Sequence, residues 1–194
     1  MRRLLRWGID FIQVREKALE DRELLRLTTK IVHLARGTPC RVLVNGRADI
    51  ALAAGAAGVH LPSTGLRVRD VHTWVPPGFL VGCSTHSGEE ARRAQVEGAD
   101  YLLLGPVFET PSKAHLGSPL GLPGFAEICR GLEVPVLALG GICRESVPSV
   151  LESGAAGVAA IRLFQSAREF DAREARVLHP PRLRRDEKAG RHRV

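Results

Sequence analysis

The sequence predicts a parallel α/β protein, a TIM (β/α)8 barrel lacking its first strand, and three observations lead there. Short Val/Ile/Leu-rich runs alternate with longer segments whose apolar residues recur at helical spacing, the pattern of strands buried on both faces and joined by crossover helices. A Gly-Ala motif recurs where a helix should end and a strand begin: Gly55-Ala-Ala-Gly-Val, Gly98-Ala-Asp-Tyr and Gly154-Ala-Ala-Gly-Val. Glycine there stops a helix in the left-handed region and releases the chain into the next strand. No Gly-x-Gly-x-x-Gly opens a helix, which disfavours a doubly wound dinucleotide-binding sheet.

Taken in order, Ile9 to Val14 is the first strand candidate, ending at Arg15-Glu16-Lys17, and Glu20 to Ala35 the helix after it, closed by Gly37 and Pro39. Arg41 to Asn45 is a strand and Ala48 to Ala54 a helix. Gly58 to Leu61 is a strand, followed by a helix near Val68 to Trp74. Leu80 to Ser84 leads to a helix over Ser87 to Glu97, whose Ser-Gly-Glu-Glu start resembles a capping box. Tyr101 to Leu104 is a buried strand stopped by Gly105-Pro106, with a helix near Pro123 to Gly131 beyond its long loop. Val134 to Leu139 runs into Gly140-Gly141; Ser146 to Ser153 is helical, Gly157 to Ile161 a strand, and Ala167 to Val177 a last helix. That makes seven strands, one short of a closed barrel. Arg2 to Gly8 reads as the last turns of a helix that would follow a missing strand. The expectation is a chain truncated at its N-terminus that associates through open sheet edges.

Residues 1–178 are expected to form one barrel domain, with 44% of the 194 residues hydrophobic, and residues 179–194 a basic, disordered tail. The net charge of +7 is concentrated at the ends: the tail holds six Lys/Arg against two acids, and Arg2, Arg3 and Arg6 supply the rest. The body between them is neutral, so no nucleic-acid partner is expected. No run of about eighteen apolar residues exists, so no membrane span is expected either. Cys40, Cys83, Cys129 and Cys143 form no C-x-x-C pair, which fits reduced thiols in a cytoplasmic protein.

Chemistry in such barrels sits at the carboxyl ends of the strands. There the chain places Gln13, Arg15 and Lys17, then Asn45, His60, Ser84 and His86, then Thr110, Ser112 and Lys113, then Gly141, and last Ile161 and Arg162. Hydroxyls, an ammonium and backbone N–H groups at a strand end suit an anionic ligand, most simply a phosphate. Gly140-Gly141 reads either as part of that cradle or as a tight turn. His60 reads equally as a packed core histidine or a ligand contact, and for His86 a site role is favoured.

Ile-Gln-Val-Arg-Glu-Lys (12–17), Val-Asn-Gly-Arg-Ala-Asp-Ile-Ala-Leu (44–52), Gly-Val-His-Leu (58–61), Gly-Cys-Ser-Thr-His (82–86), Gly-Pro-Val-Phe-Glu-Thr-Pro-Ser-Lys (105–113) and Ala-Leu-Gly-Gly-Ile (138–142) together resemble the thiamine phosphate synthase/TenI family. The resemblance runs from about Ile9 to Phe164. It implies a place in thiamine biosynthesis and a thiazole phosphate ligand, bound by Thr110 to Ser112, Gly141, Ile161 and Arg162. In the synthase branch Gln13, Arg15, Lys17, Asn45, Ser84 and Lys113 would bind a pyrimidine diphosphate. That branch places Mg²⁺-binding aspartates where this chain has Gly46 and Gly65, and the tautomerase branch uses a histidine where it has Pro106. The expectation is a TenI-like, thiazole tautomerase-type barrel without a cofactor, with His86 as acid/base and Lys113 and Arg15 holding anionic groups. The alternatives are a thiamine phosphate synthase, which alone would call for Mg²⁺, and an inactive phosphate-binding or regulatory barrel; a homo-oligomer is compatible with each.

Overall fold

In a computed structural model, which describes residues 1–110, 118–161, 163 and 164, the sheet has seven strands. They are β1 Phe11–Val14, β2 Arg41–Asn45, β3 Gly58–Leu61, β4 Leu80–Thr85, β5 Tyr101–Leu104, β6 Val136–Leu139 and β7 Gly157–Ala159. All neighbours pair parallel and in chain order. The helices between them are α1 Arg2–Arg6, α2 Asp21–Ala35, α3 Ala48–Ala53, α4 Val68–His72, α5 Gly88–Val96, α6 Gly121–Arg130 and α7 Val147–Glu152, the last entered through a 3-10 turn, Arg144–Ser146. This is a curled, open barrel with one strand fewer than the closed form. Its β1 and β7 are the edges among the described residues.

Strand pleat divides the side chains between two cores. Val42, Val44, Val59, Val81, Leu102, Leu104 and Ala138 face the helices and join the larger cluster with Phe125 and Val150. Leu43, Leu80, Tyr101 and Leu103 face inward, with Phe11, Leu137, Leu139 and Ala159 packed against them. Strands β3 and β5 are buried along their whole length; β5 accordingly reads as an unbroken apolar run, while in β3 the run is interrupted by the buried His60.

The recurring glycines end helices as expected. Gly55, Gly98 and Gly154 all have positive φ. The backbone bonds Ala56 N–H to Ala51 O and Ala99 N–H to Ala94 O close the Schellman pattern after α3 and α5. The expected capping box at α5 is only half formed. Ser87 Oγ accepts the Glu90 N–H at 3.2 Å, but the Glu90 carboxylate reaches one residue further back, to the His86 N–H at 2.7 Å. Strand β7 is shorter than expected, ending at Ala159. The expected helix over 167–177 and the tail at 179–194 lie outside the described residues. No described helix is long and apolar enough to cross a membrane.

Candidate functional site

Alternation along each strand carries the polar residues of the carboxyl ends to the inner face. Gln13 shares parity with Phe11, Asn45 with Leu43, and Ser84 with Leu80, all inward-facing positions. His60 pairs with Asn45 on one side and Gly82 on the other. It is 1% exposed, and both ring nitrogens are engaged: Nδ1 lies 2.9 Å from the Tyr101 hydroxyl and Nε2 2.9 Å from Ser84 Oγ. The Tyr101 ring stacks on His60 and on Phe11, with centroids 5.7 Å away in each case. Burial raises the phenol's pKa well above its usual value, so the hydroxyl stays protonated. His60 is thus a core histidine by burial and a neighbour of the mouth through Ser84.

His86 sits just beyond β4, half-buried. Its Nδ1 faces the Gly105 carbonyl oxygen. A carbonyl only accepts, so Nδ1 carries the proton and, in the neutral ring, Nε2 keeps its lone pair. Glu90 holds the backbone of the same residue, so the imidazole is fixed from two directions.

Between β5 and β6 the chain is stitched tightly. Val107 N–H donates to Leu139 O at 2.9 Å and Phe108 N–H to Gly140 O at 3.0 Å. A Cβ on Gly140 would lie 2.6 Å from Pro106 Cα, and one on Gly141 2.6 Å from the Glu109 carbonyl oxygen, both at positive φ. Backbone approach therefore demands this glycine pair, which accounts for the tight-turn reading and also brings Gly141 against the segment that ends at Thr110. Ser112, Lys113 and Arg162 lie outside the described residues. Ile161 lies two residues past the end of β7 and is 64% exposed, not at the strand terminus as the sequence suggested. Arg15 and Lys17 are exposed beyond β1.

Gly46 and Gly65 flank one side chain: a Cβ on either would lie nearest to Pro62, at 3.7 Å and 3.0 Å. These neighbouring positions offer no side-chain oxygen, and among the described residues no three His, Cys, Asp or Glu come together as a metal site. The residues present therefore do not fit a carboxylate-held Mg²⁺. Next to Gly46, Arg47 is fully committed elsewhere. It bridges Asp49, with contacts of 2.9 and 2.7 Å, and Asp21 at the start of α2. Its side chain therefore ties the β2–α3 turn to α2 instead of reaching for a ligand.

Sequence reading did not single out Tyr101 or Arg47, and it had Glu90 only as part of the capping box. For Tyr101 a signal existed: its parity on β5 and the glycine opposite, since Tyr101 pairs with Gly82. For Arg47 the Asp21 partner is set by tertiary approach, although the Arg-x-Asp spacing pointed to Asp49; for Glu90 the partner is local, the His86 N–H four residues back.

The sequence profile described as thiamine monophosphate synthase matches residues 1–164. A protein of Methanoculleus marisnigri named thiamine-phosphate synthase is 44% identical over 79% of this chain and 73% of its own. One of the same name from Anaeromyxobacter dehalogenans is 44% identical over 88% and 76%. Among solved structures, a thiamine phosphate pyrophosphorylase from Pyrococcus furiosus superposes with a TM-score of 0.80 at 32% identity, over 91% of this chain and 84% of that one. The profile match, over residues 1–164, covers every described strand and the inner-face constellation, and the chain belongs to the thiamine monophosphate synthase family.

Proposed function

We propose that this protein is a thiamine-phosphate synthase, joining hydroxymethylpyrimidine diphosphate to thiazole phosphate with departure of diphosphate. The observation that carries the reading is 44% identity, spread over most of the barrel, to proteins that bear that name. It displaces the tautomerase-type expectation as the first reading. In it, Gln13 and Asn45 hydrogen-bond the pyrimidine. Ser84, Arg15, Lys17 and Lys113 hold the diphosphate by donated and charge-assisted bonds. Thr110, Ser112, Gly141, Ile161 and Arg162 hold the thiazole phosphate, partly on backbone N–H groups. The protein's own cations carry the leaving-group charge in this account, because Gly46 and Gly65 supply no carboxylate for a divalent ion. The partners are these small molecules.

The test is to mix both substrates with the purified protein and follow diphosphate release and thiamine phosphate formation, with and without EDTA. Product formation is expected; no diphosphate release at saturating substrates overturns the reading. A second reading, a thiazole tautomerase-type proton shift, draws on the free Nε2 of a firmly held His86. There His86→Asn should slow the shift about a hundredfold, the scale of general acid–base catalysis, with no effect of EDTA. Tight thiazole phosphate binding with neither reaction would leave the inactive binding barrel.

A further inference from the structure

We infer that His60 and Tyr101 form a positioning relay that fixes Ser84 as a hydrogen-bond donor toward the barrel mouth. The relay follows from which proton has nowhere else to go. The Tyr101 phenol is 2% exposed, keeps its proton because burial disfavours the phenolate, and has His60 Nδ1 as its hydrogen-bond partner at 2.9 Å. If that proton did not go to Nδ1, a buried donor would be orphaned, an arrangement folded proteins avoid. Nδ1 therefore accepts, and in a neutral imidazole the remaining nitrogen must carry the hydrogen. His60 Nε2 then donates to Ser84 Oγ across 2.9 Å. Ser84 is half-buried at the carboxyl end of β4, so its own hydrogen turns away from His60 and toward the mouth. The opposite polarity, with Ser84 donating to His60, would make the serine oxygen an acceptor toward a ligand and strand the phenol proton.

Gly82 leaves the space the Tyr101 ring occupies, and the ring stacks on Phe11 and His60, so the phenol is aimed and held. His60 and Tyr101 are positioning residues; neither reaches a ligand. The ligand would be an oxyanion or another acceptor that takes the Ser84 hydrogen, and that last step rests on the function proposed above.

Two measurements separate the relay from that function. In ¹⁵N-labelled protein without ligand, long-range ¹H–¹⁵N correlation should show the His60 ring with its hydrogen on Nε2; a hydrogen on Nδ1 overturns the relay whatever the protein binds. Calorimetry with inorganic diphosphate should show Ser84→Ala and Tyr101→Phe each weakening binding about five- to tenfold, the scale of one donated bond. The double variant should lose no more than either alone. Full affinity in a folded Tyr101→Phe whose Ser84→Ala counterpart is weakened also overturns the relay. Wild-type protein that carries the Nε2 hydrogen yet does not bind diphosphate overturns the ligand assignment and leaves the relay standing.

Discussion

Gly82 is the residue that lets Tyr101 cross the barrel interior. A Cβ at Gly82 would stand 2.1 Å from the Tyr101 ring, far inside van der Waals contact. The ring cannot retreat easily, since it is stacked on Phe11 and His60 and tied to His60 Nδ1. Gly82→Ala is therefore expected to destabilise the fold by about 1–3 kcal/mol, the range for overpacking a filled core, read as a lower urea midpoint. The same loss should persist in a Tyr101→Phe background, because the ring and not the hydroxyl is struck. A Gly82→Ala protein as stable as the wild type would mean the ring has room the packing denies it. The sequence displayed Gly82 only as part of a motif; its reason lies on the neighbouring strand, where no one-dimensional pattern shows it.

At the scale of elements, what was legible depended on how many faces a segment buries. Arg41–Asn45, Gly58–Leu61 and Tyr101–Leu104 were read to the residue, because strands enclosed on both sides leave compact, mostly apolar segments with polar or glycine residues marking their limits. Strands β1, β6 and β7 were read too long, at Ile9, Val134 and Ile161, since apolar residues beside a strand extend the run past the last paired residue. The β2–α3 turn shows the other blind spot. Its anchor is Arg47, which joins Asp49, two residues on, to Asp21 at the head of α2, a pairing 26 residues apart. The guanidinium lowers the pKa of both carboxyls below their ordinary 3.8. Groups with depressed folded pKa values stabilise the fold above the unfolded value, and the contribution disappears as pH falls through the folded one. Wild-type melting temperature should thus drop more steeply than that of Arg47→Met as pH goes below 3.8. Near neutral pH the variant should melt only about 1–3 °C lower, because these pairs are largely solvent-exposed and screened. Parallel acid profiles for the two proteins would show that the clamp contributes nothing.

At the scale of the whole molecule, the seven-strand count read from the sequence is the count observed among the described residues, and its consequence is visible in the interior. On the inner face Leu43, Leu80 and Tyr101 are sealed, at 2%, 3% and 2% exposed, whereas Phe11 and Ala159 on the edge strands β1 and β7, and Leu137 on β6, are only partly covered. Among the described residues the outer edges of β1 and β7 pair with no strand, so N–H and C=O groups face outward beside apolar interior. Such an edge is a template for pairing with another chain. The expected behaviour is self-association that grows with protein concentration, driven by both the free ladder and the apolar interior beside it. Sedimentation velocity across a concentration series is the measurement. Phe11→Lys puts a charge on the inner face of the edge strand and should return the protein toward the monomer, provided its melting stays cooperative. A sedimentation coefficient that does not change with concentration, or one that rises equally in the wild type and in Phe11→Lys, would locate the association elsewhere or remove it.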